Sequence, residues 1–223
     1  FALTADYQKA NDDLAKVASL IKDNPQFFEH LELLEIVAIA HFYLNDFDTA
    51  SNTHNKIIQI KQERNLEQTL AQSYYNLARS YEGQSRLDDA FNAYWEAQES
   101  VRFDETPIRE GFIQLGFGNL LLVQEKYEEA YQKLKLAESL FAGKNQIKPY
   151  LTTLIHLAKA AINTDRVDEA FELLSNAKQI ATGVELTERQ IELYWLLYQS
   201  YLLKNNNTQA LKYLEFYVKA YQK

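Results

Sequence analysis

One short phrase returns along the chain at a fixed interval of 40 residues: DYQKA ending at Ala10, DFDTA at Ala50, RLDDA at Ala90, KYEEA at Ala130, RVDEA at Ala170 and NNTQA at Ala210. A constant period in this range is the mark of stacked supersecondary units that cannot each bury an apolar face alone. Three residues before each anchor alanine stand Tyr7, Phe47, Leu87, Tyr127, Val167 and Asn207, and four after it Leu14, His54, Tyr94, Leu134, Leu174 and Leu214. That spacing places them on one face of a helix. Further upstream each unit carries a bulky residue followed by a small one, in Val37-Ala38, Leu77-Ala78, Phe117-Gly118 and Leu157-Ala158, with Leu197-Tyr198 as the exception. A small side chain there lets two helices approach closely.

Turn chemistry divides each unit into two helices. Asn45, Ser85, Glu125, Asp165 and Asn205 precede the second helix, and four of the five are good N-cap types, so each is read as a helix start. Asn24-Pro25, Thr106-Pro107 and Thr187 with Gln190 read as starts between units, and Gly143 and Gly183 as stops. The expected architecture is all-α: a right-handed superhelical solenoid of antiparallel hairpins in one repeat domain over 1–223. It has a lone helix over 6–22 and hairpins over 26–64, 66–102, 107–142, 149–182 and 187–222.

Composition agrees and excludes several classes. The 6 glycines and 3 prolines among 223 residues are too few for a β-sandwich or a flexible linker. A net charge of −8 argues against a dominant nucleic-acid surface. With no cysteine there is no disulfide framework, thiol nucleophile or thiolate metal site, and the compartment is left open. Apolar runs stop well short of the roughly 20 residues of a membrane helix. The chain opens on Phe1, its first helix has the signature of a second helix lacking its partner, and Leu211, Leu214, Tyr217, Val218 and Tyr221 form an apolar stripe on the last helix. The expectation is a module excised from a longer chain, or a last helix that forms a dimer seam.

The sequence resembles the tetratricopeptide repeat family, whose pattern is matched most clearly by Tyr74, Leu77-Ala78, Tyr81, Ala90, Tyr94 and Ala97. Standard repeats of that family have 34 residues. The longer repeat here is similar to those of Rap-type and PlcR-type peptide-sensing regulators, MalT-like activators, and the sensory portions of bacterial histidine kinases and GGDEF-type diguanylate cyclases. The segment YYNLARSYEGQ around Asn76 resembles the Rap-type segment in which a groove asparagine holds ligand backbone. The chaperone-tail clamp of some members needs lysine where this chain has Tyr75 and Leu115, so that specificity is not carried over.

Residues of catalytic type do not assemble. His30, His41, His54 and His156 fall in no metal-binding spacing, and His41 and His54 occupy repeat positions of packed side chains. The acidic pairs Asp88-Asp89, Glu128-Glu129 and Asp168-Glu169 sit in the first turn of a helix, where carboxylates favour the macrodipole. Gly116 and Gly118 have neither the third glycine nor the strand of a dinucleotide fingerprint. No catalytic residue, metal or cofactor is expected.

Function is sought instead in the stripes that first helices of hairpins turn to a concave groove. One stripe is Ile39, Arg79, Asn119, Lys159 and Gln199; beside it run Ile36, Asn76, Gly116, His156 and Leu196, then Glu35, Tyr75, Leu115, Ile155 and Trp195. The amides of Asn76, Asn119, Asn163 and Gln199 can serve both donors and acceptors of an extended peptide, and Arg79 and Lys159 could take a carboxylate. Tyr75, Phe112 and Trp195 offer flat apolar area, and His156 completes the candidate set. The expected partner is a peptide or protein segment, with homodimerisation through the last helix as a second mode, and with no nucleic acid or membrane. The chain reads as a non-enzymatic sensor or regulatory module; the alternatives are the sensory part of a signalling enzyme and a static assembly scaffold.

Overall fold

Alanine at every anchor decides how close the helices lie, and the computed structural model shows the result for residues 12–13, 16, 19–20, 30–101, 107–181 and 187–222. Residues 12–13, 16 and 19–20 are helical, no described residue is in a strand, and ten further α-helices follow. They are α1 (Leu31–Tyr43), α2 (Phe47–Glu63), α3 (Leu70–Gly83), α4 (Leu87–Ser100), α5 (Pro107–Val123), α6 (Tyr127–Phe141), α7 (Ile147–Ile162), α8 (Val167–Ala181), α9 (Thr187–Leu203) and α10 (Asn207–Tyr221). A 3-10 turn, Glu67–Thr69, precedes α3. Taken in pairs they make five helical hairpins. Most of the expected first helix, together with Asn24-Pro25, Thr106 and Gly183, lies outside the described residues.

The chain forms two compact units, Phe1–Arg109 and Glu110–Lys223. In the first, Ala38, Ala50, Ala78, Ala90 and Ala97 are wholly buried, and Leu34 and Ile57 close the core between α1 and α2. In the second, Ala130, Ala158, Ala170 and Ala177 do the same work beside Leu134, Leu154, Leu157 and Leu174. Gly118 belongs to this pattern: a Cβ added there would lie 2.6 Å from Cγ of Leu134, a side chain with no room to move. Polar bonds one repeat apart reinforce the stacking. Gln84 donates to the Phe47 carbonyl and to the Ser51 hydroxyl, both at 2.8 Å, and Arg166 forks onto Glu128 at 2.9 and 3.0 Å. No described helix is long and apolar enough to cross a membrane.

The turn inside each hairpin differs from the expectation. Asn45, Ser85, Glu125, Asp165 and Asn205 are left-handed, with φ between 54° and 61°, and so end the first helix instead of starting the second. The N–H of the following residue reaches back to the preceding helix, Asp46 to His41 O, Arg86 to Tyr81 O and Lys126 to Leu121 O, each at 2.9 Å. This is the Schellman closure, which satisfies carbonyls the helix end would otherwise leave orphaned. The N-caps stand one residue later. Of the described ones, Asp46 and Asn206 accept from the N–H of Thr49 and Gln209, both at 3.2 Å, whereas Arg86 and Lys126 have no side-chain cap bond. Gly143 is left-handed as well, in keeping with its reading as a helix stop.

A left-handed position costs a side chain such as glutamate about 1 kcal/mol, and asparagine less. Glu125→Gly is therefore expected to stabilise the fold by about 0.5–1 kcal/mol, raising Tm by a few degrees, whereas Asn45→Gly leaves it nearly unchanged. Thermal unfolding checks this, and a lower Tm for Glu125→Gly counts against the turn geometry.

Candidate functional site

The three helices α1, α2 and α3 of the first unit do not close completely over one another. Between them lies a cavity of about 250 Å³. Glu35, Ile39, Phe42 and Tyr43 come to it from α1, His54 from α2, and Gln72, Ser73, Asn76 and Arg79 from α3. Helical periodicity explains the set: Glu35, Ile39 and Phe42 repeat every three or four residues along α1, as do Gln72, Asn76 and Arg79 along α3.

Behind this cavity a lysine is buried. Lys61 is only 3 % exposed, and its ammonium is held by Glu35 Oε1 at 2.7 Å, Ser73 Oγ at 2.8 Å and the Thr69 carbonyl at 3.2 Å. Three acceptors use all three N–H bonds, and the single carboxylate neutralises the charge. His54 lies in the same interior with its Nδ1 unpartnered. Burial, with the Lys61 charge adding to it, pushes the His54 imidazole down to about 4 from its ordinary 6.5.

Arg79 is the second cation. Its guanidinium lies 4.3 Å from the centre of the Phe42 ring and 5.8 Å from that of Tyr75, and it has no hydrogen-bond or ion-pair acceptor among the described residues. Asn76 receives a hydrogen bond from Gln72 Nε2 at 2.9 Å, which leaves its own Nδ2 without an acceptor among those residues. Burial pushes the nearby Glu82 carboxyl up, against the hydrogen bond of 2.7 Å from the Tyr94 hydroxyl and the field of Arg79. The arrangement thus presents free donors above an apolar wall, and no nucleophile paired with a base. No group of three or more metal-ligating side chains exists among the described residues.

Of the residues singled out by sequence, Asn76 and Arg79 meet at this cavity, and Tyr75 packs between Arg79 and the Tyr94 ring, 6.1 Å away. The others are in the second unit and are not gathered into one place. Phe112 is set edge-on to Phe141 at 5.2 Å, a packing role. Asn119 and Gln199 are half-buried on α5 and α9. Asn163 is exposed and uses its amide to close α7, donating to the Lys159 carbonyl at 2.8 Å. Trp195 is 38 % exposed against Tyr198 and Tyr217.

His156 is buried, with Nε2 3.3 Å from Arg189 and 3.6 Å from Glu192. Burial alone would raise Glu192. His156 beside it, then Arg189 and Lys159, outweigh that and hold the carboxylate down to about 2.

Lys61 and His54 are the members that the stripe reading missed, and Glu35, though it stands in a stripe, was given no role there. One signal was present, because Lys61 stands where the later repeats carry Val101, Phe141 and Ala181.

A chain of helical hairpins that recur every 40 residues, with buried alanines where the helices meet, has the fold of a helical repeat protein. Its particular fold is that of tetratricopeptide-repeat proteins. BtubC (BKLC) from P. vanneervenii matches with a TM-score of 0.72 at 16 % identity, covering 100 % of this chain and 92 % of its own. YrrB, described as a TPR protein with an unusual peptide-binding site, matches with a TM-score of 0.64 at 17 % identity, covering 92 % and 91 %. RapI in its apo form matches with a TM-score of 0.67 at 13 % identity, covering 92 % and 87 %. No family model matches the sequence, and no curated protein matches it.

The depressed His54 makes stability depend on acid. The imidazole stays neutral in the fold and is protonated in the unfolded chain between pH 6.5 and about 4, so stability falls as pH falls through that window. The total is about 3 kcal/mol. His54→Leu, the residue of the equivalent positions 134 and 174, is expected to abolish this loss in urea unfolding at stepped pH. An unchanged slope in the variant overturns the assignment.

Proposed function

We propose that the chain is a non-enzymatic recognition module that binds a peptide or protein segment along the first helices of its hairpins. One observation carries this reading: the unspent hydrogen-bond donors of Arg79 and Asn76, set beside Ile39, Phe42 and Tyr43 at an open cavity. An extended peptide carries one donor and one acceptor per residue and supplies the missing acceptors, while the exposed Ile39 and Tyr43 give apolar contact. The half-buried amides of Asn119 and Gln199 extend the reading to the second unit. The fold shared with YrrB, a protein with a peptide-binding site, supports it.

In this reading the module is the sensory or regulatory part of a bacterial signalling or transcription regulator. Ligand binding biases the packing of successive hairpins, and small changes at each interface add along the array. Any catalytic output belongs to an attached domain. A second reading, assembly through α10, is favoured by the exposure of Leu211, Val218 and Tyr221 on that helix.

Peptides selected from a random library on the wild-type chain supply the test. Arg79→Ala and Asn119→Ala are each expected to weaken binding about tenfold, with helicity retained and Tm nearly unchanged. Unaltered affinity in both variants removes the groove assignment. A concentration-dependent mass abolished by Leu211→Glu with Val218→Glu moves the function to assembly.

A further inference from the structure

The last hairpin of the second unit departs from the repeat in one coordinated way. Twelve residues before the anchor alanine and seven after it, the three hairpins before it carry small residues: Ala78 with Ala97, Gly118 with Ala137, and Ala158 with Ala177. All six are buried. The last hairpin has Tyr198 and Tyr217 at these positions, both half-buried. Trp195 stands beside them, its ring centre 5.2 Å from that of Tyr198 and 5.1 Å from that of Tyr217, and Tyr221 continues the line 6.0 Å from Tyr217. Trp195 is 38 % exposed and Tyr221 71 %. The hairpin does not need these rings to close its core, because Tyr213, 4 % exposed and stacked on Tyr201 at 5.3 Å, already does so.

Four rings from α9 and α10 thus make a narrow aromatic strip with unused polarity. The Trp195 indole N–H and the hydroxyls of Tyr198, Tyr217 and Tyr221 have no hydrogen bond among the described residues. Rings in place of alanine and glycine also deny this strip the close helix crossing of the earlier hairpins, since a crossing packed at crystal-like density has no room for added bulk. Its occupant is therefore of another shape than a stacked helix.

We propose that the strip docks a proline-rich segment of a partner protein in the polyproline II conformation. This surface lies in the second unit and is separate from the cavity of the first. Proline fixes φ, so the segment is prebuilt and loses little chain entropy on docking. Its carbonyls have no partner within their own helix and accept from an indole N–H or a phenol. A rise of about 3.1 Å per residue sets two residues along each step between rings. A strip one ring wide follows an extended chain, whereas a bilayer needs a broad apolar face. On α10 the exposed Lys212 and Lys219 outnumber Glu215, in a chain of net charge −8, which complements an acidic flank on the segment.

The test is calorimetric titration of the full chain with octaproline carrying a glutamate at each end, and with the same peptide built from D-proline, which winds with the opposite hand. The L-peptide is expected to bind about tenfold more tightly than its mirror form. Trp195→Ala is expected to weaken binding about tenfold and Tyr221→Ala about threefold. In Trp95→Phe the remaining tryptophan is Trp195, and its emission is expected to shift on binding.

Equal binding of both hands, no binding of either at millimolar concentration, or unaltered affinity in both alanine variants overturns the proposal. An unshifted emission with binding retained places the peptide elsewhere and overturns it too. So does a different occupant without preference between the two hands: a mass that doubles with concentration and is lost in Tyr221→Glu assigns the strip to a second copy, and sedimentation with anionic phosphatidylglycerol vesicles, lost in the same variant, assigns it to a bilayer. Tyr221→Ala, at an exposed position, carries the test alone should Trp195→Ala not fold.

Discussion

Everything in this fold depends on helices meeting at alanine. Ala38, Ala50, Ala78 and Ala90 in the first unit, and Ala130, Ala158 and Ala170 in the second, have no exposed surface, so a longer side chain at any of them has nowhere to go. Interiors are packed at crystal-like density, and an added methylene forces backbone movement. Gly118 carries the same constraint, since even a methyl group would overlap Leu134. The 40-residue register follows from this requirement: each crossing needs its small residue at the same height, whatever the rest of the repeat does.

The same requirement explains what could be read in advance. An alanine flanked at −3 and +4 marks the packed face, with a small residue after a bulky one in every hairpin but the last, and Leu77-Ala78 and Leu157-Ala158 are buried as that pattern demands. The hairpin turns were misplaced by one residue for a chemical reason. Asparagine, aspartate and serine both cap helix starts and tolerate the left-handed conformation. Asn45 and Ser85 therefore satisfy either description, and the φ values decide it. Asn163 carries a related ambiguity, because an amide near a helix end can close the helix, as its donation to the Lys159 carbonyl does.

The candidate site was legible only in part. Asn76 and Arg79 share one helical stripe, which periodicity exposes. Lys61 and Glu35 belong to different helices, and their ion pair depends on how α1, α2 and the turn before α3 come together, a relation that stripes along single helices do not contain. Phe112 was credited with ligand contact for its flat face, and its ring stands in a T-shaped pair with Phe141, a contact between residues 29 apart that periodicity along one helix does not contain.

A buried lysine is a poor way to make a core. Taking two charges from water costs several kcal/mol before their attraction returns it, and apolar residues at the same place are often as stable. The repeats of this chain supply that comparison internally, with Phe141 and Ala181 buried at the positions equivalent to Lys61. His54 makes the same contrast with Leu134 and Leu174. Two departures from the repeat, both toward polar groups, add acid sensitivity and desolvation cost to a scaffold that carries apolar side chains at the equivalent positions elsewhere.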